Sequence, residues 1–432
     1  MLLDLTSSWI WYVVLLFFVI WYYFIACEEK YKINKAKPAL FIGTASFLMI
    51  WIYFLINWLD LQLLNHEIEK LIIEISEIFF FLLVAMTFIE VMVDRWVFSV
   101  LKKKLVSKWY SYKKLFWVVW FIAFFLSPIA DNLTTALILS TVVFSISVNK
   151  KFLVPVAINI VVAANAGWSW SPFGDITTLM AWTAWKWMFT DFLTLFPAAF
   201  IWWIATSFLL SFFIPNWKLK ADENEAHLRP ASRRIIFLWI FTIIISILTH
   251  QFLHLPAMWW MMFGLSLLQL ISYRLKKTHS EEHSFNIFQL IKKTEIDTLL
   301  FFFWILAAVW ALWFLWYLTY ISKFYDTVWV NFWNISIWMF SAIIDNIPVM
   351  SAVLKSNISM WLEWWLMLTL TVWIGWSLIS FGSAAWVWVM AKLKWIYTFN
   401  AHMKFFPIIL LWYFVSILVY YIQVNYLYWL ML

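Results

Sequence analysis

Ser-Pro-Ile-Ala-Asp-Asn-Leu-Thr-Thr-Ala (residues 127–136) decides how this chain can fold, because it places a carboxylate in the middle of a long apolar stretch. A second copy of the pattern, Ser-Ala-Ile-Ile-Asp-Asn-Ile-Pro-Val-Met, occupies residues 341–350. Each copy is followed along the chain by a polar break, the first at 165–175 and the second at 375–385. Ionisable groups inside hydrocarbon are costly and mark functional sites by default. Two matched sets therefore predict an internal duplication of the kind that builds transporter binding sites.

The composition is that of an integral membrane protein. Of 432 residues, 65% are hydrophobic and only 12% are charged. Apolar runs such as 71–93 and 405–424 are long enough to cross about 30 Å of hydrocarbon. The net charge of +7 comes from basic residues in short loops, which indicates membrane orientation rather than a nucleic-acid partner. The single cysteine, Cys27, excludes an internal disulfide.

The predicted fold class is an all-α polytopic membrane protein with about ten transmembrane helices and two re-entrant hairpins. The stretches 115–148 and 327–354 are too short for two spans each, which is why we interpret them as hairpins. The distribution of Lys and Arg indicates that the first hairpin opens to the cytoplasm and the second to the outside. The halves are then inverted repeats with broken helices.

The predicted domain boundaries follow from that topology. The segments are an N-terminal transmembrane helix at 1–38, a first inverted repeat at 39–215, a linker with an extra helix at 216–255, and a second inverted repeat at 256–432. Within the first repeat, residues 60–70 are predicted to form an outer loop that precedes a helix at 71–93.

The hairpin tips and broken helices carry oxygen-bearing side chains. Those of the first half are Asp131, Asn132, Thr134, Thr135, Asn165, Ser169, Ser171, Asp175, Thr177 and Thr178, and those of the second half are Ser341, Asp345, Asn346, Ser377, Ser380 and Ser383. Oxygen ligands without thiols or imidazoles favour Na⁺ or Li⁺ over transition metals. Protons and a cation would compete for the same carboxylates, which is sufficient for antiport. No cofactor is expected.

Simpler interpretations of these residues stay open. An Asp-Asn pair is often a turn or a helix cap, and Ser or Thr in a membrane helix often bonds back to the helix. Glu77 and Glu90 are either part of a proton path or merely interfacial.

The tryptophan content is anomalous. The chain has 37 Trp and 6 Gly, whereas glycine averages about 7% of residues and is more frequent still in membrane helices. Trp168, Trp376 and Trp386 lie beside the polar breaks, where small residues are wanted. We hypothesise that UGA codons read as glycine in some bacterial lineages are written here as tryptophan. The alternative is a membrane protein with unusually rich aromatic belts.

The motifs resemble those of the NhaD-type sodium/proton antiporters of the ion transporter superfamily. The matching stretches are SPIADNLTTALIL (127–139), NAGWSWSPFGDITTLM (165–180), IDTLLFFFWILAAVWAL (296–312), SAIIDNIPVM (341–350) and SLISFGSAAWVWVM (377–390). The resemblance implies exchange of Na⁺, and often Li⁺, for H⁺ across the bacterial cytoplasmic membrane. The protein is then expected to be embedded in the lipid bilayer. Whether it forms a homodimer stays open. The binding residues it implies are Asp131, Asn132, Thr134, Asn165, Asp175, Thr177, Thr178, Ser341, Asp345, Asn346, Ser380 and Ser383.

Other functions remain as alternatives at this point. A carrier of arsenite or of a carboxylate would belong to the same superfamily, but it would not be expected to place Asp at both hairpin tips. A membrane-embedded enzyme would need a nucleophile with its base or a metal cluster, and the motifs contain neither. The chain is therefore not expected to be an enzyme.

Overall fold

A computed structural model gives the fold of the chain. It describes all residues except 1–4, 7, 32, 107–110, 131, 145–148, 217–226, 279–284, 338, 340, 342–345, 357, 379–384, 387–388, 391–392, 394–395 and 428–432.

The described residues form helices joined by short connections. In the first half these are α1 (Trp9–Ala26), α2 (Glu28–Tyr31), α3 (Ala36–Ile56), α4 (Leu61–Asp94), α5 (Val97–Val106), α6 (Tyr112–Ala130), α7 (Asn132–Phe144), α8 (Lys150–Trp168), α9 (Ile176–Thr183), α10 (Phe189–Phe192), a 3₁₀ turn (Leu193–Leu195) and α11 (Phe196–Ser211). In the second half they are α12 (Ser232–Leu253), α13 (Ala257–Thr278), α14 (Ile287–Ile291), α15 (Ile296–Phe314), α16 (Thr319–Thr327), α17 (Val330–Ser336), α18 (Asn346–Lys355), α19 (Leu362–Leu378), α20 (Phe399–Met403), α21 (Phe406–Ile422) and a π turn (Gln423–Leu427).

The helices confirm a multi-pass membrane protein. Among the described residues, 9 helices are long and apolar enough to cross a bilayer. All but one coincide with a predicted crossing; the exception is α6, which was predicted as a leg of the first hairpin. Two predicted crossings fall outside this set, because α13 is long enough but less apolar and α19 is shorter. The direction in which each hairpin opens and the inverted relation of the halves stay predictions.

The predicted outer loop at 60–70 is wrong, because helix α4 begins at Leu61 and continues to Asp94. Asp60 caps the helix, its carboxylate accepting a hydrogen bond from the Gln62 amide at 2.8 Å. About two turns further on, Lys70 pairs with Glu67 at 2.8 Å along the same helix. Polar residues spaced for a cap and an i,i+3 ion pair thus continue the helix beyond its apolar part.

Helix α8 is the centre of the first half. Nearly every side chain from Phe152 to Trp168 is buried. Helices α6, α7 and α11 all pack against it. The close approach of α6 needs glycine at position 167, since a Cβ there would lie 2.1 Å from the carbonyl oxygen of Phe124. A buried, broken helix in the middle of the protein is where a polar site can be kept away from lipid.

A similar set of contacts occurs in the second half. Helices α17 and α18 pack against α19, and α19 packs against α21. The two halves meet where α18 packs against α9 and where α19 packs against α8. The elements that carry the duplicated sequence motifs therefore lie next to each other in the fold.

Candidate cation site between the two halves

Asp175 opens a short helix inside the first polar break. Helix α8 ends at Trp168, and α9 begins at Ile176 with Asp175 as its N-cap. The carboxylate oxygen Oδ2 accepts hydrogen bonds from the backbone amide of Thr177 at 3.4 Å and from its hydroxyl at 2.8 Å. The hydroxyl of Thr178 donates to the Asp175 carbonyl oxygen at 2.9 Å. The run Asp-Ile-Thr-Thr thus forms a cap that fixes one carboxylate at a break in the membrane helices.

Asn346 brings the second half to this carboxylate. Its side-chain nitrogen Nδ2 donates to Asp175 Oδ2 at 2.8 Å, although the two residues are 171 positions apart. A carboxylate can only accept, so this contact fixes the orientation of the amide and turns Oδ1 away from Asp175. That oxygen is buried and has no hydrogen-bond partner among the described residues. A buried amide oxygen without a donor can serve as a ligand for a small cation.

The first polar break also contacts the first hairpin. Asn132, the first residue of α7, donates through Nδ2 to the side-chain oxygen of Asn165 in α8 at 3.2 Å. The Ser171 hydroxyl donates to the carbonyl oxygen of Pro128 at 3.3 Å. That carbonyl lies near the end of α6, where Pro128 disrupts the helical hydrogen bonding. The segment from Asn165 to Asp175 therefore contacts both duplicated motifs.

The remaining predicted site residues divide into three groups. Ser341 is fully buried, and its hydroxyl donates to the carbonyl oxygen of Val372 in α19. Thr134 lies on the wall of a cavity of about 320 Å³ between α4 and α7, together with Glu90 and Glu295. Four predicted residues lie outside the described part of the chain: Asp131, Asp345, Ser380 and Ser383.

One hydroxyl near the site is absent from the residue set that the resemblance implies. Thr135 follows the Asp-Asn pair of the first hairpin and is fully buried. Among the described residues its Oγ1 has no hydrogen-bond partner, whereas the described hydroxyls of Thr87 and Thr242 bond back to the preceding turn of their helices. The sequence signal was the pair Thr134-Thr135, but sequence alone does not say which of the two hydroxyls lacks a partner.

Positive charge is scarce around these groups. Of the described Lys and Arg side chains, only Arg95 is fully buried, and it pairs with Asp94 at the end of α4. The two hydrogen-bonded pairs, Asp175–Asn346 and Asn132–Asn165, offer a carboxylate and amide oxygens. This combination suits a small hard cation better than an organic anion.

The chain matches known transporter families along most of its length. The family model for citrate transporters, CitMHS, matches residues 13–373. The Na(+)/H(+) antiporter NhaD of Vibrio cholerae is 38% identical over 440 residues, covering 96% of this chain and 92% of the relative. The NhaD of Vibrio parahaemolyticus is 40% identical over 410 residues, covering 88% and 98%. Sodium/proton antiporter 1 of Arabidopsis thaliana is 25% identical over 396 residues, covering 88% and 67%. The chain therefore belongs to the CitMHS family, in the same group as the bacterial NhaD antiporters.

Proposed function

We propose that the protein is a secondary antiporter that exchanges Na⁺, and also Li⁺, for H⁺ across the bacterial cytoplasmic membrane by alternating access. The NhaD relatives are named for this exchange and match over nearly their whole length. The observation that supports the proposal most directly is the contact between Asp175 and Asn346, which joins the first polar break to the second Asp-Asn motif at one carboxylate.

The geometry supports competition between a metal ion and a proton. Asp175 is held in one orientation by Thr177 and Asn346, so the place where a cation binds is fixed before it arrives. Asn346 Oδ1 supplies a neutral oxygen next to the carboxylate. A proton on the carboxylate removes the charge that attracts the cation, so each ion displaces the other. When the site changes the side of the membrane to which it is open, an ion bound on one side is released on the other.

Citrate is the alternative that the family name suggests. A trianion would need basic groups or several cations at the site. The described residues around Asp175 offer carboxylate and amide groups, and the buried Arg95 is engaged at another helix end. This charge pattern favours a cation as the substrate.

Everted membrane vesicles test the proposal. Addition of Na⁺ or Li⁺ should collapse a respiration-generated pH gradient at alkaline pH, and the variant Asp175→Asn should abolish the response while still reaching the membrane. Asp60→Asn is the matched control, because Asp60 also caps a helix but lies on the exposed end of α4. Vesicles that respond to citrate but to neither cation would contradict the proposal, and normal exchange by Asp175→Asn would remove Asp175 from the site.

A further inference from the structure

His402 is fully buried and lies beside helix α19. Its Nε2 is 2.8 Å from the carbonyl oxygen of Leu378, the last described residue of α19. Its Nδ1 is 2.6 Å from the hydroxyl of Tyr397, which is itself buried. The side chain belongs to the short helix α20, on the stretch that joins α19 to α21.

The partners determine the state of the ring. A carbonyl oxygen can only accept, so Nε2 carries a hydrogen and donates to Leu378. Nδ1 then accepts from the Tyr397 hydroxyl, and every polar atom of the chain Tyr397–His402–Leu378 is satisfied with a neutral imidazole. Burial lowers the pKa of His402 to about 4 from 6.5, in agreement with this arrangement.

The hydrogen bond from His402 fixes the carbonyl group of Leu378 relative to α20. Leu378 lies in the described start of the second polar break, at 375–378, and Ser380 and Ser383 follow it in sequence. We propose that His402 is a positioning residue that fixes Leu378, and with it the described start of the second polar break, for ion binding. The proposal rests on the proposed antiport for its transport readout.

Two variants and a matched control test this role. His402→Leu should raise the apparent KM for Na⁺ by about tenfold, the effect of losing one buried hydrogen bond, with a smaller change in maximal rate. His402→Gln can donate to Leu378 and accept from Tyr397, and it should restore most of the affinity. His250→Leu is the control, because His250 is also buried with a ring nitrogen 3.2 Å from a backbone carbonyl, that of Leu255, at another helix end.

Hydrogen exchange followed by mass spectrometry separates this inference from the antiport itself. His402→Leu should accelerate amide hydrogen exchange in the part of α19 next to Leu378, and His250→Leu should leave that part unchanged. If amide hydrogen exchange at this position is as slow in His402→Leu as in the wild type, the positioning role is overturned, whatever ion the protein carries. A wild-type protein without any Na⁺ response would contradict the antiport, but the hydrogen-exchange measurement would still decide the role of His402.

A second, independent inference comes from the backbone. Six described non-glycine residues have positive φ, and four of them are tryptophans: Trp58 (54°), Trp96 (63°), Trp185 (55°) and Trp316 (66°). Each follows directly after the C-cap of a helix, namely α3, α4, α9 and α15. This is the position at which helices commonly end with a left-handed glycine, because a Cβ is disfavoured there.

At three of these four ends, those of α3, α9 and α15, the hydrogen bonds are those of the Schellman motif, and the amide of Trp96 after α4 makes one of the two bonds, to Val93 at 3.0 Å. After α3, the amide of Leu59 bonds to the Phe54 carbonyl at 2.9 Å and the amide of Trp58 bonds to Leu55 at 3.3 Å. After α15, the amide of Tyr317 bonds to Leu312 at 3.0 Å. The end of α9 has the same pair of bonds, from Lys186 to Ala181 and from Trp185 to Trp182. Bulky residues with positive φ are outliers in proteins, and four at glycine positions share one cause.

Buried indoles point the same way. The indole N–H of a buried tryptophan normally has a partner. Among the described residues, the buried indole nitrogens without one include those of Trp11, Trp120, Trp170, Trp182, Trp187, Trp203, Trp310, Trp386 and Trp412. Trp376 lies outside the described side chains.

We infer that positions 58, 96, 185 and 316 are occupied by glycine in the functional protein, through UGA codons read as glycine. UGA at the four codons, with peptide masses from the native cell matching glycine, would support the inference. UGG at these codons, or tryptophan masses, would overturn it.

A stability measurement tests the same inference from the backbone. The four-fold variant Trp58→Gly, Trp96→Gly, Trp185→Gly and Trp316→Gly should melt several degrees above the tryptophan form. Trp51→Gly, within helix α3 rather than at its end, should melt lower because glycine weakens a helix interior. A four-fold variant that melts lower than its parent would contradict the assignment.

Discussion

The variant Asn346→Ala tests the contact between the two halves. It removes the donor that lies 2.8 Å from Asp175 Oδ2 and the unpartnered oxygen Oδ1. A hydrogen bond to a charged group contributes about 1.5–3 kcal/mol. If that free energy stabilises the cation-bound state, the apparent KM for Na⁺ should rise about 10-fold to 100-fold. The assay is Na⁺-dependent collapse of a pH gradient in everted vesicles, with KM measured at one fixed alkaline pH.

A second buried asparagine provides the control. Asn159 in α8 is also fully buried, but its side chain is fully engaged, donating to the Phe116 carbonyl at 3.4 Å and accepting from the Ser207 hydroxyl at 2.6 Å. Asn159→Ala should reduce the amount of folded protein without altering the KM of what remains. Equal KM values for wild type and Asn346→Ala, at comparable protein levels, would refute the reasoning.

Three further outcomes are expected. Asn346→Asp places a second carboxylate beside Asp175, so the pair should retain a shared proton and the pH profile of exchange should move to more alkaline pH; an unchanged profile would contradict this. Asn165→Leu leaves the buried amide of Asn132 without its acceptor at 3.2 Å, which should cost about 1–3 kcal/mol and lower the melting temperature in detergent. The pKa of His402 is lowered from 6.5 to about 4 in the folded protein, so the neutral ring adds about 3 kcal/mol to the free energy of unfolding above pH 6.5. This stabilisation is lost as the pH falls towards 4. Melting temperatures measured across that range should therefore fall more for the wild type than for His402→Gln.

Much of the architecture could be predicted from sequence, because the bilayer imposes strong constraints. Long apolar runs can only be helices at membrane depth, and most predicted crossings coincide with helices of the structure. The failure at 60–70 has a clear physical cause. Those residues are polar, and a polar stretch between apolar runs is typical of a loop. Here the Asp60 cap and the Glu67–Lys70 pair stabilise a helix that extends beyond its apolar part.

The sequence allows a candidate set of site residues to be proposed, but not the geometry that joins them. Duplication of the Asp-Asn motif indicated that Asn132 and Asn346 act in one site. It could not show that Asn346 pairs with Asp175 of the other half, since that contact depends on how α18 packs against α9. Nor could it find His402, which is distant in sequence from both motifs and meets α19 only through the fold.

The most direct test of the central claim is Na⁺ uptake by the purified protein in liposomes, measured as a function of pH. If one carboxylate binds either ion, the apparent KM for Na⁺ should rise about tenfold for each unit by which the pH falls below the range of optimal binding. Asp175→Asn should lose uptake at every pH. An apparent KM that does not depend on pH, or saturable uptake by Asp175→Asn, would contradict the account.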